Sequence, residues 1–204
     1  DFVDICKKTY TIDPNLVEER VQHYKSKGQN VRAIIGVDYA GHPCDWTSLK
    51  EIADRYELHL INDNCHAMGA SYIGDKQYAV KYADLVTQSY HPVKHITTGE
   101  GGSILTNNIN FYEKINQLRT HGMTKDPAKL SNNDGPWFYE MQELGYNYRL
   151  TDFQCALGSS QLKKLDIFNK QRKAIAKTYD NLFSDVNNLR KPYKMNNVEH
   201  SYHL

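Results

Sequence analysis

The sequence predicts an α/β fold built on a mostly parallel sheet, and three observations carry that reading. Val31–Val37 (VRAIIGV) is a continuous run rich in β-branched residues, as in strands buried on both faces. Two further short runs, Leu58–Asp63 (LHLIND) and Ala83–Ser89 (ADLVTQS), repeat that character. Between the first two, Asp45–Leu58 places Leu49, Ile52, Ala53 and Tyr56 at helical spacing. Strands alternating with helices need crossover connections, which give parallel pairing.

The later elements follow in order. Gly102–Thr106 (GSILT) reads as a short strand after a glycine-rich turn, and Asn108–His121 as a helix. Thr124–Gly145 is polar and carries the turn-rich run Asn132-Asn133-Asp134-Gly135-Pro136. It reads as a long loop of the kind that usually serves function. From Thr151 the chain is helical through about Phe183, with a break or bend near Asp166 and Asn169. This stretch is expected to leave the sheet domain toward a second, smaller one.

Composition removes several classes of function. The 25 basic and 24 acidic residues of the 204 are interspersed, so no basic block marks a nucleic-acid partner. The apolar runs are too short to cross a bilayer, and no signal-peptide pattern is present. Cys6, Cys44, Cys65 and Cys155 are widely spaced. His42, Cys44, Cys65 and His66 do not match the usual spacing of zinc ligands, so no metal is expected. Unpaired cysteines fit a reduced, cytoplasmic protein. The chain begins at Asp1 and stops at Leu204, and both ends read as cut from a longer protein.

In open α/β sheets ligands bind beyond the carboxyl ends of the strands. Asp63 ends LHLIND, Ser89 ends ADLVTQS, and Lys94 lies in the connection that follows, before Thr97-Thr98-Gly99-Glu100-Gly101-Gly102. Singly, each has an ordinary explanation: a cap, a turn former, a solvated charge. Nor does TTGEGG have the spacing of the common nucleotide loops.

Taken together, four stretches resemble the DegT/DnrJ-type sugar aminotransferases. They are VDYAGHP (37–43), INDNCHAMGA (61–70), SYHPVKHITTGEGG (89–102) and GYNYRLTD (145–152). The resemblance implies a pyridoxal-phosphate enzyme of the aspartate-aminotransferase fold (fold type I), with helices on both sides of the sheet. Residues 1–160 would be part of the cofactor-binding large domain, and 161–204 a helical connection and the start of the small domain. Lys94 matches the lysine that holds the cofactor, where a desolvated amine can be neutral near pH 7. Asp63 matches the carboxylate that pairs with the ring nitrogen and keeps the ring an electron sink. His66 falls beside the ring near its phenolic oxygen, and Ser89 matches the hydroxyl on the phosphate. Asn147 matches a residue reaching the phosphate of the neighbouring subunit, which implies a homodimer with a shared site.

The motif wording is most similar to relatives that aminate a 4-keto-6-deoxy UDP-N-acetylhexosamine, as in pseudaminic acid biosynthesis. The implied substrates are L-glutamate and a UDP-linked keto sugar. One departure is visible: the family usually carries Glu before the ring-binding Asp, and here Asn62 stands there. The family's N-terminal phosphate-binding turn and stacking aromatic would precede Asp1, so the 204 residues alone are expected to be inactive. Two other readings remain: a cofactor-dependent sugar dehydratase, whose members carry His where Lys94 stands, and a non-catalytic remnant of the fold.

Overall fold

A computed structural model describes residues 1–132 and 134–204. Asn133, within the turn-rich run, lies outside the described residues. The chain divides into two compact units, Asp1–Leu105 with Phe153–Leu204, and Thr106–Asp152.

The first unit opens with helix α1 (Pro14–Ser26). Asp13 caps it by accepting the Asn15 N–H at 3.0 Å, and Pro14 occupies its first turn. Strand β1 (Ala33–Val37) and helix α2 (Trp46–Tyr56) follow. The α2 cap is Asp45, whose carboxylate takes both the N–H and the hydroxyl of Ser48. Next come β2 (His59–Asp63), β3 (Ser71–Tyr72), α3 (Tyr78–Tyr82), β4 (Leu85–Ser89) and β5 (Gly102–Leu105). The main sheet has the order β1-β2-β4-β5. Its first three strands are parallel, with Val37 opposite Asp63 and Asp63 opposite Thr87. β5 runs antiparallel to β4, with Ser89 opposite Gly102.

Alternation along the strands divides the side chains between two faces. On the covered face Ile34, Leu60 and Val86 pack with Trp46, Leu49 and Ile52 of α2 and Val17 and Val21 of α1. Burial of apolar surface in this layer is what holds the sheet to its helices. On the opposite face Ile35, Val37 and Ile104 stay exposed.

α1 escapes a reading by periodicity because only Val17 and Val21 of its 13 residues are buried. The helical stretch after Thr151 is two helices, α5 (Asp152–Leu162) and α6 (Leu165–Leu182), which follow α4 (Ile109–Leu118) in the chain. The break falls at Lys163-Lys164, just before Asp166. Beyond α6, within the same unit, β8 (Val198–Glu199) pairs antiparallel with β3. A strap then crosses the turn after β1: Ser201 N–H donates to Gly41 O at 3.0 Å and His203 N–H to Ala40 O at 2.8 Å. Arg172 of α6 donates to the carbonyls of Tyr202 and His203.

In the second unit α4 (Ile109–Leu118) is capped by Asn108, which accepts from the N–H groups of Asn110 and Phe111. The stretch expected as a long loop is mostly irregular, closed at its base by a short pair of strands. β6 (Met123–Thr124) and β7 (Glu140–Met141) pair antiparallel, with a 3₁₀ turn at Pro127–Lys129 between them. Backbone pairing between strands is indifferent to the polar side chains that make a sequence look like loop. Among the described residues no helix is long and apolar enough to cross a membrane.

Candidate active site

The ends of β1, β2 and β4 set the site. Asp63 closes β2 on the sheet face opposite the core, half-buried. Its Oδ1 accepts the Cys65 N–H at 3.1 Å, which fixes the carboxylate. Its Oδ2 takes no backbone N–H among the described residues, which leaves it acceptor capacity for a ligand. Ser89, two residues beyond Thr87 on the neighbouring strand, faces the same side. Its Oγ accepts the His91 N–H at 3.4 Å, so the hydroxyl proton remains free to donate.

Tyr90 builds the loop that carries Lys94. Its N–H donates to Gly101 O at 2.8 Å, and its carbonyl takes the Thr98 N–H at 3.0 Å and the Thr97 hydroxyl at 2.9 Å. The glycine-rich stretch is thus a closing strap. Gly102 is required there, because a Cβ would lie 2.5 Å from Gln88 O. Inside the loop the Lys94 N–H donates to His91 O at 3.0 Å. The side chain of Lys94 is half-buried and forms no ion pair or hydrogen bond among the described residues. An amine without an ionic partner is what imine chemistry requires.

His66 lies between these charges. Its Nδ1 accepts the Ala40 N–H at 3.3 Å, which places the ring proton on Nε2. Burial lowers its pKa first and the charge of Lys94 next, while Asp63 acts the other way. The ring packs on His203 at 4.2 Å between centroids. Cys65 is held as a neutral thiol, its pKa pushed up to about 11 by burial and then by Asp63. Both His66 and Cys65 feel the charges of Asp63 and Lys94, so these residues form one neighbourhood. Asn147 belongs to the second unit, where it is exposed and bridges to Thr120.

Two groups of residues went unassigned in the sequence. One is the strap, which brings Ser201 and His203 against His95, the neighbour of Lys94. His95 Nε2 contacts Ser201 O at 3.2 Å, and its ring lies 5.6 Å from that of His203. The other is Asp38, wholly buried behind the strand ends. It accepts five hydrogen bonds, from Cys44 N–H, Trp46 Nε1–H, Asn62, Asn64 and the Tyr78 hydroxyl. Burial raises its pKa, and the hydrogen bonds from Tyr78, Cys44, Asn64 and Asn62 oppose that. A polar residue directly after the apolar run VRAIIGV was the available signal for Asp38. Its donors are too scattered along the chain to have announced themselves.

A carboxylate with acceptor capacity to spare, a hydroxyl with a proton to donate, an unpaired amine and an imidazole Nε2–H on one sheet edge fit a cofactor with a basic ring nitrogen, a phosphate and an aldehyde. The fold and this donor set define a class, the pyridoxal-phosphate transferases of fold type I. Comparison gives the family. The model for the DegT/DnrJ/EryC1/StrS aminotransferase family matches residues 1–204, and the chain belongs to that family. It is 41% identical over 183 residues to the UDP-4-amino-4,6-dideoxy-N-acetyl-beta-L-altrosamine transaminase of Campylobacter jejuni, covering 90% of this chain and 45% of that one. Among solved structures, Helicobacter pylori PseC, an aminotransferase involved in the biosynthesis of pseudoaminic acid, is 30% identical with a TM-score of 0.77, covering 100% of this chain and 50% of that one. The PLP-form of the putative sugar aminotransferase Spr1654 from Streptococcus pneumoniae is 26% identical with a TM-score of 0.79, covering 98% and 52%. The chain spans about half the length of the curated relatives it matches.

Proposed function

We propose that the protein transfers an amino group from L-glutamate to a 4-keto-6-deoxy sugar nucleotide of the UDP-N-acetylhexosamine type, giving a 4-amino sugar and 2-oxoglutarate. Its cofactor is pyridoxal phosphate, and the active form is a cytoplasmic homodimer. The observation that carries the reading is Lys94, a half-buried amine without an ionic partner, in the company of a carboxylate with acceptor capacity to spare. The amino sugar named for the Campylobacter jejuni relative supports the substrate class.

When bound, the cofactor supplies an electron sink for the carbon that loses its proton. The chain's own residues do the rest. Lys94 Nζ would hold the cofactor and, once displaced by the donor's amine, would take a proton from the donor's α-carbon and return one to C4 of the sugar, as a general base and acid. The Asp63 carboxylate would pair with the ring nitrogen, and its charge would keep that nitrogen protonated. His66 Nε2–H serves the phenolic oxygen, and the Ser89 hydroxyl the phosphate. Asn147 reaches the partner subunit's cofactor phosphate. Residues 161–204 lead toward a small domain that helps close the site.

The test is chemical and spectroscopic. The full-length protein with pyridoxal phosphate should show a visible absorption band that Lys94→Ala abolishes. Given glutamate and UDP-linked 4-keto sugars, it should yield an amino sugar and 2-oxoglutarate. A deoxy sugar product would indicate a dehydratase, and a band unchanged in Lys94→Ala would remove the assignment.

A further inference from the structure

At the end of β2, the run Asn62-Asp63-Asn64 sends its outer two side chains to the covered face and the middle one to the opposite face. Asn62 Nδ2 and Asn64 Nδ2 donate to the same atom, Asp38 Oδ2, at 3.1 and 2.8 Å. Asp38 is itself anchored. Its Oδ1 takes the Cys44 N–H at 2.8 Å and the Trp46 Nε1–H at 2.9 Å, and its Oδ2 takes the Tyr78 hydroxyl at 2.7 Å. Its backbone N–H donates to Asp63 O at 3.0 Å. Asp38 therefore touches the backbone of Asp63 and the side chains on either side of it.

We infer that Asp38 is a positioning residue for Asp63, gripping Asn62 and Asn64 so that the strand cannot roll and the Asp63 carboxylate keeps its direction. A strand alternates strictly, so fixing residues i−1 and i+1 on one face fixes where residue i points on the other. Five donors converge on the site, and an ionised carboxylate, with about four lone-pair sites and no proton of its own, is the side chain that comes nearest to accepting them all. Asn62 shows the same priority. Its Oδ1 is buried without a partner, so the amide is used here for its donor half. A carboxylate at 62 would set a second acid against Asp38 instead of a donor.

The inference rests on the reading that Asp63 serves the ring nitrogen, and the experiment separates the two. The affinity of the full-length apoprotein for pyridoxal phosphate is measured by fluorescence, and the pH midpoint of the bound cofactor's absorption by titration. Asp38→Asn should weaken binding about tenfold, as loss of an outer-shell partner does elsewhere, and move the midpoint in the same direction as Asp63→Asn, by less. The exchange Asp38→Asn/Asn62→Asp rebuilds an amide–carboxylate pair with reversed polarity and should recover part of both. A purely structural role would lower the melting temperature and leave the midpoint where it was. Folded Asp38→Asn protein with wild-type affinity and midpoint, beside an altered Asp63→Asn, overturns this inference alone. Unaltered Asp63→Asn overturns the reading of Asp63 and the inference with it. Should Asp38→Asn not fold, Asn62→Ala and Asn64→Ala each remove one grip, and wild-type binding and midpoint in both would overturn it equally.

Discussion

Acidification should release the strap at Ser201–His203 before the rest of the fold gives way. His203 is 8% exposed, and its Nδ1 is buried with no hydrogen-bond partner. A second ring proton would find no acceptor there. Burial lowers its pKa from 6.5 to about 4, helped by His66, Lys94, His95 and Arg172, all neutral or positive neighbours. His95, at about 4, and His200, at about 3, are depressed in the same way, with burial again the leading cause. A histidine depressed in the fold binds fewer protons there than when released. Its contribution is complete above pH 6.5 and is lost as pH falls toward 4. At pH 5 the linkage relation gives a loss of about 2 kcal/mol for a single ring. Amide hydrogen exchange reads this directly, because the N–H groups of Ser201 and His203 are the ones bonded to Gly41 and Ala40. After correction for intrinsic rates, their protection in the full-length apoprotein should fall about thirtyfold between pH 7.5 and pH 5. Protection that does not change would refute the reasoning.

Gly41→Ala should cost about 2–4 kcal/mol in urea denaturation, since backbone strain and overpacking act together. The residue sits at φ 102°, and a Cβ would lie 2.5 Å from Ser201 Oγ; a loss too small to measure would contradict this. Trp46→Phe keeps most of the ring but removes the Nε1 donor to Asp38, which should cost about 1–3 kcal/mol. An unchanged denaturation midpoint would show that bond to be dispensable. For the shared site, Lys94→Ala and Asn147→Ala homodimers should each be inactive, and activity should return when they are mixed and allowed to exchange subunits. In a mixed dimer one site has both residues intact, so a mixture that stays inactive would argue against Asn147 acting across the interface.

Much of this was legible from local pattern. β1, β2 and β4 announce themselves as short apolar runs ending in polar residues, and Asp63 and Ser89 stand out because strand ends are where such sheets bind ligands. What pattern could not show was set by pairing at a distance. The antiparallel course of β5 depends on the loop that Tyr90 closes. The β6–β7 pairing joins only Met123 with Met141 and Thr124 with Glu140, too short a run for any side-chain period to mark. The strap reaches the site only because α6 and β8 bring the end of the chain back to Gly41. Asp38 stood in the motif VDYAGHP, yet its role rests on Asn62, Asn64 and Tyr78, which no local period relates to it.

Lys94 is the centre of the account, and covalent trapping tests it most directly. The full-length protein would be loaded with pyridoxal phosphate, reduced with borohydride, digested and analysed by mass spectrometry. The account expects the reduced cofactor on Lys94, in the peptide containing SYHPVKHITTGEGG. A cofactor recovered on a different lysine, or on none, would contradict it.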